Sequence, residues 1–87
     1  MYAIVAYDVA VERLNDVRGI LRRYLNWVQN SAFEGELTEG LLAELQMKLS
    51  DIIDTTHDSI IFYTISNPKW IKKRILGTEK SELTQIL

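Results

Sequence analysis

Two short stretches of this chain are apolar at almost every position. Residues 2–7 (YAIVAY) and 60–65 (IIFYTI) contain the β-branched and aromatic side chains that are typical of strands. A strand with one face in water alternates apolar and polar side chains, whereas a strand that is covered on both faces does not. The pattern therefore predicts two strands, each with both faces covered.

Two segments between these strands have the apolar spacing of amphipathic helices. The first covers about residues 11–25, and Asn26 is its predicted end because asparagine tolerates the left-handed conformation. The second begins after Thr38, the predicted N-cap, with Leu37 and Leu42 placed as a hydrophobic staple around it. The apolar stripes are Leu14, Val17, Leu21, Tyr24 and Leu25 in the first helix and Leu41, Leu42, Leu45, Leu49, Ile52 and Ile53 in the second.

Turn-forming residues divide the rest of the chain. Residues 27–37 predict two short strands that are broken near 30–31. A polar turn precedes the strand at 59–66, and Pro68 ends that strand because proline cannot donate to a strand ladder. Residues 70–76 then predict a last short strand or a hinge.

The element order β-α-β-β-α-β is that of a ferredoxin-like α+β sandwich, in which two helices cover one face of an antiparallel sheet. We expect residues 1–77 to form this domain, with an extra C-terminal strand, and residues 78–87 to form a polar tail that is loosely ordered or docks on a partner. The apolar strands need a second cover, and another copy of the chain is the simplest candidate. A sheet-to-sheet homodimer would also bring two copies of Asp8 towards a shared axis.

Composition narrows the classes of function. The 87 residues carry a net charge of −2, which argues against binding nucleic acid by bulk electrostatics alone. The absence of cysteine excludes disulfides, thiolate metal sites and thiol nucleophiles, and it fits a reducing cytoplasm. No apolar run approaches the roughly 18 residues of a membrane span, and no basic segment precedes the apolar start, so we expect neither a span nor a signal peptide. The basic residues cluster as Arg13, Arg18, Arg22 and Arg23 in the first predicted helix and as Lys69, Lys72, Lys73 and Arg74 near the C-terminus.

Few residues carry a recognisable catalytic pattern. The chain has no Ser-His-Asp arrangement, no glycine-rich phosphate loop and no pair of histidines at metal-ligand spacing. His57 lies in a polar turn, where we expect a solvated loop residue. Asp8 directly follows an apolar strand, and the residues alone leave two roles open for it, a cap of the strand-to-helix turn or a ligand of a divalent cation.

Three segments together resemble one known family. They are the strand end YDV at residues 7–9, the segment RRYLNWVQNSAFEGEL at residues 22–37 and SIIFY at residues 59–63. With them, essentially the whole chain resembles the Cas2 family of CRISPR-associated endoribonucleases. The resemblance implies a ferredoxin-like homodimer whose sheets pack face to face, with the C-terminal strand of each chain joining the partner's sheet.

The resemblance also implies a function. Members of the family are described as metal-dependent endonucleases that act on single-stranded RNA or, in some cases, double-stranded DNA. They also form the central dimer of CRISPR spacer acquisition, which bridges two dimers of the CRISPR integrase and holds the incoming DNA. In some members the nuclease activity is absent or is not needed for acquisition, so the resemblance alone leaves catalysis open. The family's metal-binding aspartate falls on Asp8, which would share Mg²⁺ or Mn²⁺ with its symmetry mate and serve as the catalytic residue.

Further residues are candidates for binding nucleic acid. Tyr7, Ser31 and Phe33 match the family pattern, and Arg13 falls near a basic position of relatives. The candidates for sequence-independent contacts to backbone phosphates are Arg18, Arg22, Arg23, Lys72, Lys73 and Arg74. Each candidate has an ordinary alternative: core packing for the two aromatic rings, a strand end for Ser31 and a solvated surface for the basic residues. Trp27 stands where many relatives have a basic residue, so this chain departs from the family pattern at one expected phosphate contact.

Three other functions compete with an acquisition dimer. The first is a stand-alone, toxin-like endoribonuclease that needs no partner. The second is a ferredoxin-like RNA-binding module, which residues 59–65 disfavour because they lack the basic and aromatic signature of such a module. The third is a small-molecule-sensing domain, for which the sequence shows no convergent polar pocket.

Overall fold

A computed structural model, which describes residues 1–81, shows an α+β sandwich. Its elements are β1 (Tyr2–Asp8), α1 (Val11–Arg22), β2 (Asn26–Gln29), β3 (Ala32–Glu36), α2 (Glu39–Ile52), β4 (Ser59–Ile65) and a short 3-10 helix (Pro68–Trp70). The order is the predicted β-α-β-β-α-β, so the ferredoxin-like fold is confirmed. No helix among residues 1–81 is long and apolar enough to cross a membrane.

The four strands form one antiparallel sheet in the order β2-β3-β1-β4. The central strand, β1, pairs with β3 on one side and with β4 on the other. Its ladder with β4 runs to the last residue of β1, where Asp8 lies opposite Ser59. Both apolar strands of the sequence are therefore neighbours, and the first has no free edge.

Alternate residues of the sheet pack under the two helices. On β1 these are Ala3, Val5 and Tyr7, and they pack with the buried stripes of α1 and α2. The buried apolar residues are Ala3, Val5, Tyr7, Val17, Leu21, Leu25, Phe33, Leu37, Leu45 and Leu49. The predicted stripes are thus confirmed except at Leu41, which lies in the first turn of α2 and is 43% exposed.

The helix ends differ in how well the sequence predicts them. The Thr38 side chain accepts a hydrogen bond of 3.1 Å from the backbone N–H of Leu41, which confirms the predicted N-cap of α2. The predicted end of α1 at Asn26 is wrong, because Arg23 is the C-cap in a right-handed conformation and Asn26 begins β2. The asparagine in the left-handed conformation is Asn30, with a φ of 44°, at the predicted break between β2 and β3.

The other face of the sheet has no helix over it in the part of the chain that the structure describes. We call it the open face, and its centre is formed by Ile4 and Ala6 of β1 and by Ile61 and Tyr63 of β4. Ile61 is 47% exposed and Tyr63 is 57% exposed. The single chain therefore covers one face of its apolar strands and leaves the other largely uncovered.

The segment after β4 runs past the open face without forming a strand. Among the described residues, 71–81 have no regular secondary structure, so the predicted last strand at 70–76 is not formed within one chain. The unpaired edges of the sheet are those of β2 and β4, and among the described residues this segment pairs with neither. Lys73 Nζ lies 2.8 Å from Oε2 of Glu34 on β3. Residues 82–87, the greater part of the predicted tail, lie outside the described residues.

Candidate metal and nucleic-acid site

The carboxylate of Asp8 stands at the end of β1 on the open face. Because side chains alternate along a strand, Asp8 shares its face with Ile4 and Ala6 rather than with the buried Tyr7. Asp8 is exposed, and within residues 1–81 its side chain makes no hydrogen bond or ion pair. Ala10 is the N-cap residue of α1, and no side chain caps that helix. The alternative role of Asp8 as a turn cap is therefore wrong.

A buried carboxylate, that of Asp58, accepts hydrogen bonds from the chain segments next to Asp8. The side chain of Asp58 is fully buried and accepts hydrogen bonds from Ala10 N at 2.9 Å, Asp54 N at 3.0 Å and Arg13 Nη2 at 3.1 Å. Arg13 Nε donates to the second carboxylate oxygen. The Arg13 hydrogen bonds hold the pKa of the Asp58 carboxyl well below its usual range. We call this group, Asp58 with Arg13, Ala10 and Asp54, the Asp58 clamp.

The sequence did not point to the clamp. Arg13 and Asp58 are 45 positions apart, so no local spacing brings them together. The available signal was an aspartate between a polar turn and an apolar strand, which also fits an ordinary turn residue. Arg13 was predicted to contact nucleic acid. In the structure its guanidinium forms an ion pair with Asp58.

The chemistry of the donor set decides which metal would fit. Among residues 1–81 no group of three or more His, Cys, Asp or Glu side chains is placed to hold a metal ion. Asp8 thus offers one carboxylate per chain. Mg²⁺ is commonly held by only one or two carboxylates, with water completing its octahedron. One Asp8 carboxylate matches the lower end of that donor number, and two copies facing each other would match the upper end.

The two aromatic candidates are core residues. Tyr7 is 5% exposed and Phe33 is fully buried, and their ring centroids lie 6.1 Å apart. Both residues face the helices, so neither ring can stack on a nucleic-acid base. Their prediction as nucleic-acid contacts is wrong, because the strand alternation that exposes Asp8 buries its neighbour.

Ser31 lies close to the Asp8 end of the sheet. It is exposed in the turn between β2 and β3, and its backbone oxygen accepts a hydrogen bond of 3.1 Å from the N–H of Tyr7. This bond extends the β1–β3 ladder by one step beyond the pair Ala6 and Ala32. The structure therefore brings Ser31 and Asp8 to the same end of β1.

The basic candidates have different surroundings. Arg22 and Arg23 are exposed at the end of α1, and Lys72 and Arg74 are exposed in the C-terminal segment. Arg18 is half-buried, and its Nε is buried without a hydrogen-bond partner among the residues described. Lys73, by contrast, is engaged in the ion pair with Glu34.

Two further residues are accounted for by local contacts. Trp27 packs against the core and its Nε1 donates a hydrogen bond of 3.1 Å to the backbone oxygen of Asn30, so it holds the β2–β3 turn. His57 is confirmed as a solvated loop residue, with its Nδ1 3.0 Å from Oδ2 of Asp54. Hydrogen bonds from Thr56, followed by the contact with His57, lower the pKa of Asp54 to about 2.

Solved structures share this fold. A crystal structure described as that of Cas2 aligns with a TM-score of 0.82 and 45% identity, covering 92% of this chain and 90% of the other. The structure of Streptococcus pyogenes Cas2 at pH 6.5 aligns with a TM-score of 0.76 and 34% identity, covering 88% of this chain and all of the other.

Sequence comparison leads to the same family. A protein named CRISPR-associated endoribonuclease Cas2 3, from Thermodesulfovibrio yellowstonii, is 49% identical over 99% of this chain and 98% of its own length. The CRISPR-associated endoribonuclease Cas2 of Methanosarcina acetivorans is 45% identical over the full length of both. The family model of the CRISPR associated protein Cas2 matches residues 1–73. The chain therefore belongs to the Cas2 family of CRISPR-associated proteins.

Proposed function

We propose that this protein is a CRISPR-associated endonuclease that acts as a homodimer and hydrolyses phosphodiester bonds with Mg²⁺ held between two copies of Asp8. The observation that carries the proposal is the placement of Asp8, an exposed carboxylate without a partner among the described residues, on the open face of the sheet. Single-stranded RNA is the first substrate class to test, because the relatives are named endoribonucleases.

Pairing through the open faces follows from their chemistry. Ile61 and Tyr63 are large hydrophobic side chains exposed at the centre of this face, and a second copy offers the same surface in complementary symmetry. Asp8 lies on the same face, so face-to-face packing turns both carboxylates towards the partner. Burial of these apolar side chains drives dimerisation. The two Asp8 carboxylates form a metal site only once the dimer has formed.

The chain's own residues have defined tasks in this proposal. The two Asp8 carboxylates hold the cation, and the Asp58 clamp keeps the backbone behind them in place. Ser31, at the same end of β1, offers a hydroxyl that can donate to a phosphate oxygen. The bound cation would lower the pKa of a water molecule and neutralise charge on the phosphate.

Substitution of Asp8 tests the proposal. Asp8→Asn keeps the shape of the side chain but removes its charge, so we expect an intact dimer that no longer cleaves RNA or DNA at any Mg²⁺ or Mn²⁺ concentration. Asp51→Asn, a matched change of an exposed aspartate on α2, should cleave like the wild type. Metal-dependent cleavage that survives in Asp8→Asn would refute the assignment.

A second function, the holding of DNA between two integrase dimers, is supported by the exposed basic residues. Arg22 and Arg23 at the end of α1 stand out on a chain whose net charge is −2, and a dimer doubles them. Contacts of this kind position a duplex without reading its sequence. Stable co-purification with the integrase would favour this acquisition role, whereas cleavage by the dimer alone and no association would favour a stand-alone, toxin-like endoribonuclease.

A further inference from the structure

The Asp58 clamp joins three segments of the chain at one buried carboxylate. Ala10 belongs to the connection between β1 and α1, Arg13 to the first turn of α1, and Asp54 to the loop between α2 and β4. Ala10 and Arg13 lie 48 and 45 positions from Asp58, so the hydrogen bonds fix the start of α1 relative to the loop between α2 and β4. Arg13 contributes two of them from its planar guanidinium, which gives the contact a defined orientation.

Asp8 is connected to this clamp both along the chain and across the sheet. Along the chain, Ala10 follows Asp8 by two residues and donates to the clamp carboxylate. Across the sheet, Asp8 lies opposite Ser59, the residue that follows Asp58. The backbone of Asp8 is therefore held from two directions by one side chain.

A metal site shared across a symmetry axis is unusually sensitive to the position of this backbone. Any displacement of Asp8 relative to the sheet occurs in both chains and changes the separation of the two carboxylates twice over. Mg²⁺ requires ligand distances of about 2.0–2.1 Å in a near-ideal octahedron, so small shifts are costly.

We propose that Asp58 is a positioning residue that sets the affinity of the paired Asp8 carboxylates for a divalent cation. The inference rests on the proposed function. Asp58 itself cannot be a ligand, because its side chain is fully buried and both of its oxygens are engaged by backbone N–H groups and Arg13. Its effect reaches the metal only through the Asp8 backbone.

Two variants weaken the clamp in different ways. Asp58→Asn keeps one oxygen acceptor and removes the charge, and Arg13→Lys keeps the positive charge but loses the planar fork. Mn²⁺ serves as the probe, with binding to the dimer followed by electron paramagnetic resonance of the free ion and cleavage followed in the same titration. If Asp58→Asn does not fold, Arg13→Lys carries the test alone.

We expect the Mn²⁺ concentration for half-saturation to rise about tenfold in Asp58→Asn and by a smaller factor in Arg13→Lys. A tenfold loss is at the low end of what is seen when a residue that orients a metal ligand is replaced. Cleavage at saturating Mn²⁺ should return to within about threefold of the wild type, since the ligands remain. His57→Gln is the matched control: its exposed side chain contacts Thr56 and Asp54 in the same loop and takes no part in the clamp, so the Mn²⁺ affinity should be unchanged.

The outcomes separate the two proposals. If the wild type binds Mn²⁺ through Asp8 but both clamp variants bind it within twofold of the wild type, the role of Asp58 is overturned and the proposed function stands. An equal loss of affinity in His57→Gln would also overturn the role of Asp58, because any change in the loop would then suffice. If the wild type shows no Mn²⁺ binding that depends on Asp8, both proposals fall.

Discussion

Asp8 and Ser59 face each other as the last pair of the β1–β4 ladder, which places the exposed carboxylate of Asp8 one step from the buried carboxylate of Asp58. The two aspartates have opposite environments and opposite tasks. Both carboxylate oxygens of Asp58 accept hydrogen bonds within the chain, whereas the carboxylate of Asp8 accepts none among the described residues. The contrast explains why the surface aspartate is the one suited to a ligand outside the chain.

A charge at the centre of the open face should separate the dimer. Ile61→Glu would place an unpaired carboxylate where two apolar surfaces meet, so we expect the dimer dissociation constant to rise at least tenfold, or about 1.4 kcal/mol. Sedimentation velocity over a range of concentrations would measure it. Met47→Glu, on α2 with its side chain exposed, should leave the dimer unchanged. A monomeric wild type at micromolar concentration would contradict the pairing itself.

Removal of the Phe33 ring should destabilise the fold rather than impair nucleic-acid binding selectively. Phe33 is fully buried beside Tyr7, so Phe33→Ala should lower the free energy of unfolding by about 3–5 kcal/mol. Urea denaturation followed by circular dichroism would measure the loss. Met47→Ala, at a position that is 62% exposed, provides the comparison with little expected change. A stable Phe33→Ala protein that has lost only its affinity for RNA would show that our core assignment is wrong.

Acid should destabilise the protein through its two loop aspartates. The pKa of Asp54 is lowered to about 2, and that of Asp58 is lowered further by Arg13. In the unfolded chain both carboxyl groups have their ordinary pKa of about 4. Between the folded-state and unfolded-state pKa values, the unfolded chain therefore binds more protons than the folded chain. The stabilisation is present above about pH 4 and is lost as the pH falls through the folded-state pKa values. Urea midpoints measured from pH 7 to pH 2 should therefore fall below about pH 4.

The Asp58→Asn variant supplies the control for this pH dependence. It lacks the carboxyl group with the more strongly lowered pKa, so its urea midpoint should be lower at pH 7 and should change less between pH 4 and pH 2. Parallel curves for the variant and the wild type would show that Asp58 does not contribute to the acid sensitivity.

Charge reversal at the end of α1 should weaken the capture of DNA by the complex with the integrase. Replacing both Arg22 and Arg23 by Glu removes two cationic side chains per chain, and each lost phosphate contact should reduce the slope of log affinity against log salt by about 1. Filter binding across a salt series would measure this slope. Lys48→Glu, a charge reversal on α2, is the control, and unchanged DNA retention at moderate salt in the arginine variant would count against the predicted contacts.

Local physical rules accounted for most of the fold. The apolar runs of β1 and β4, the stripes of the helices and the hydroxyl cap at Thr38 depend on neighbours within a few residues, so the sequence displays them directly. The break at Asn30 was visible for the same reason, since asparagine tolerates a positive φ. At the other end of α1, backbone N–H groups of Tyr24 and Leu25 bond to carbonyls of the helix, and no left-handed residue was needed.

The site was predictable only in part, because its parts meet through tertiary structure. The resemblance led to Asp8, but the clamp behind it joins Arg13 to a residue 45 positions away. Tyr7 and Phe33 belonged to the family pattern, and only the register of the sheet shows that both point inward. A last strand was expected from composition, yet the described segment after β4 pairs with neither edge strand of the sheet.

The contact between Lys73 and Glu34 changes the electrostatic character of the surface through which we propose that two copies meet. Glu34 carries a negative charge opposite Ile4 on this face, and burial together with the Glu34 carboxylate raises the pKa of Tyr2 to about 12. Each chain thus brings the counterion for its own acid. Association would then remove water from an ion pair and not from an unpaired carboxylate. The interface can therefore form without a cation from the opposite chain.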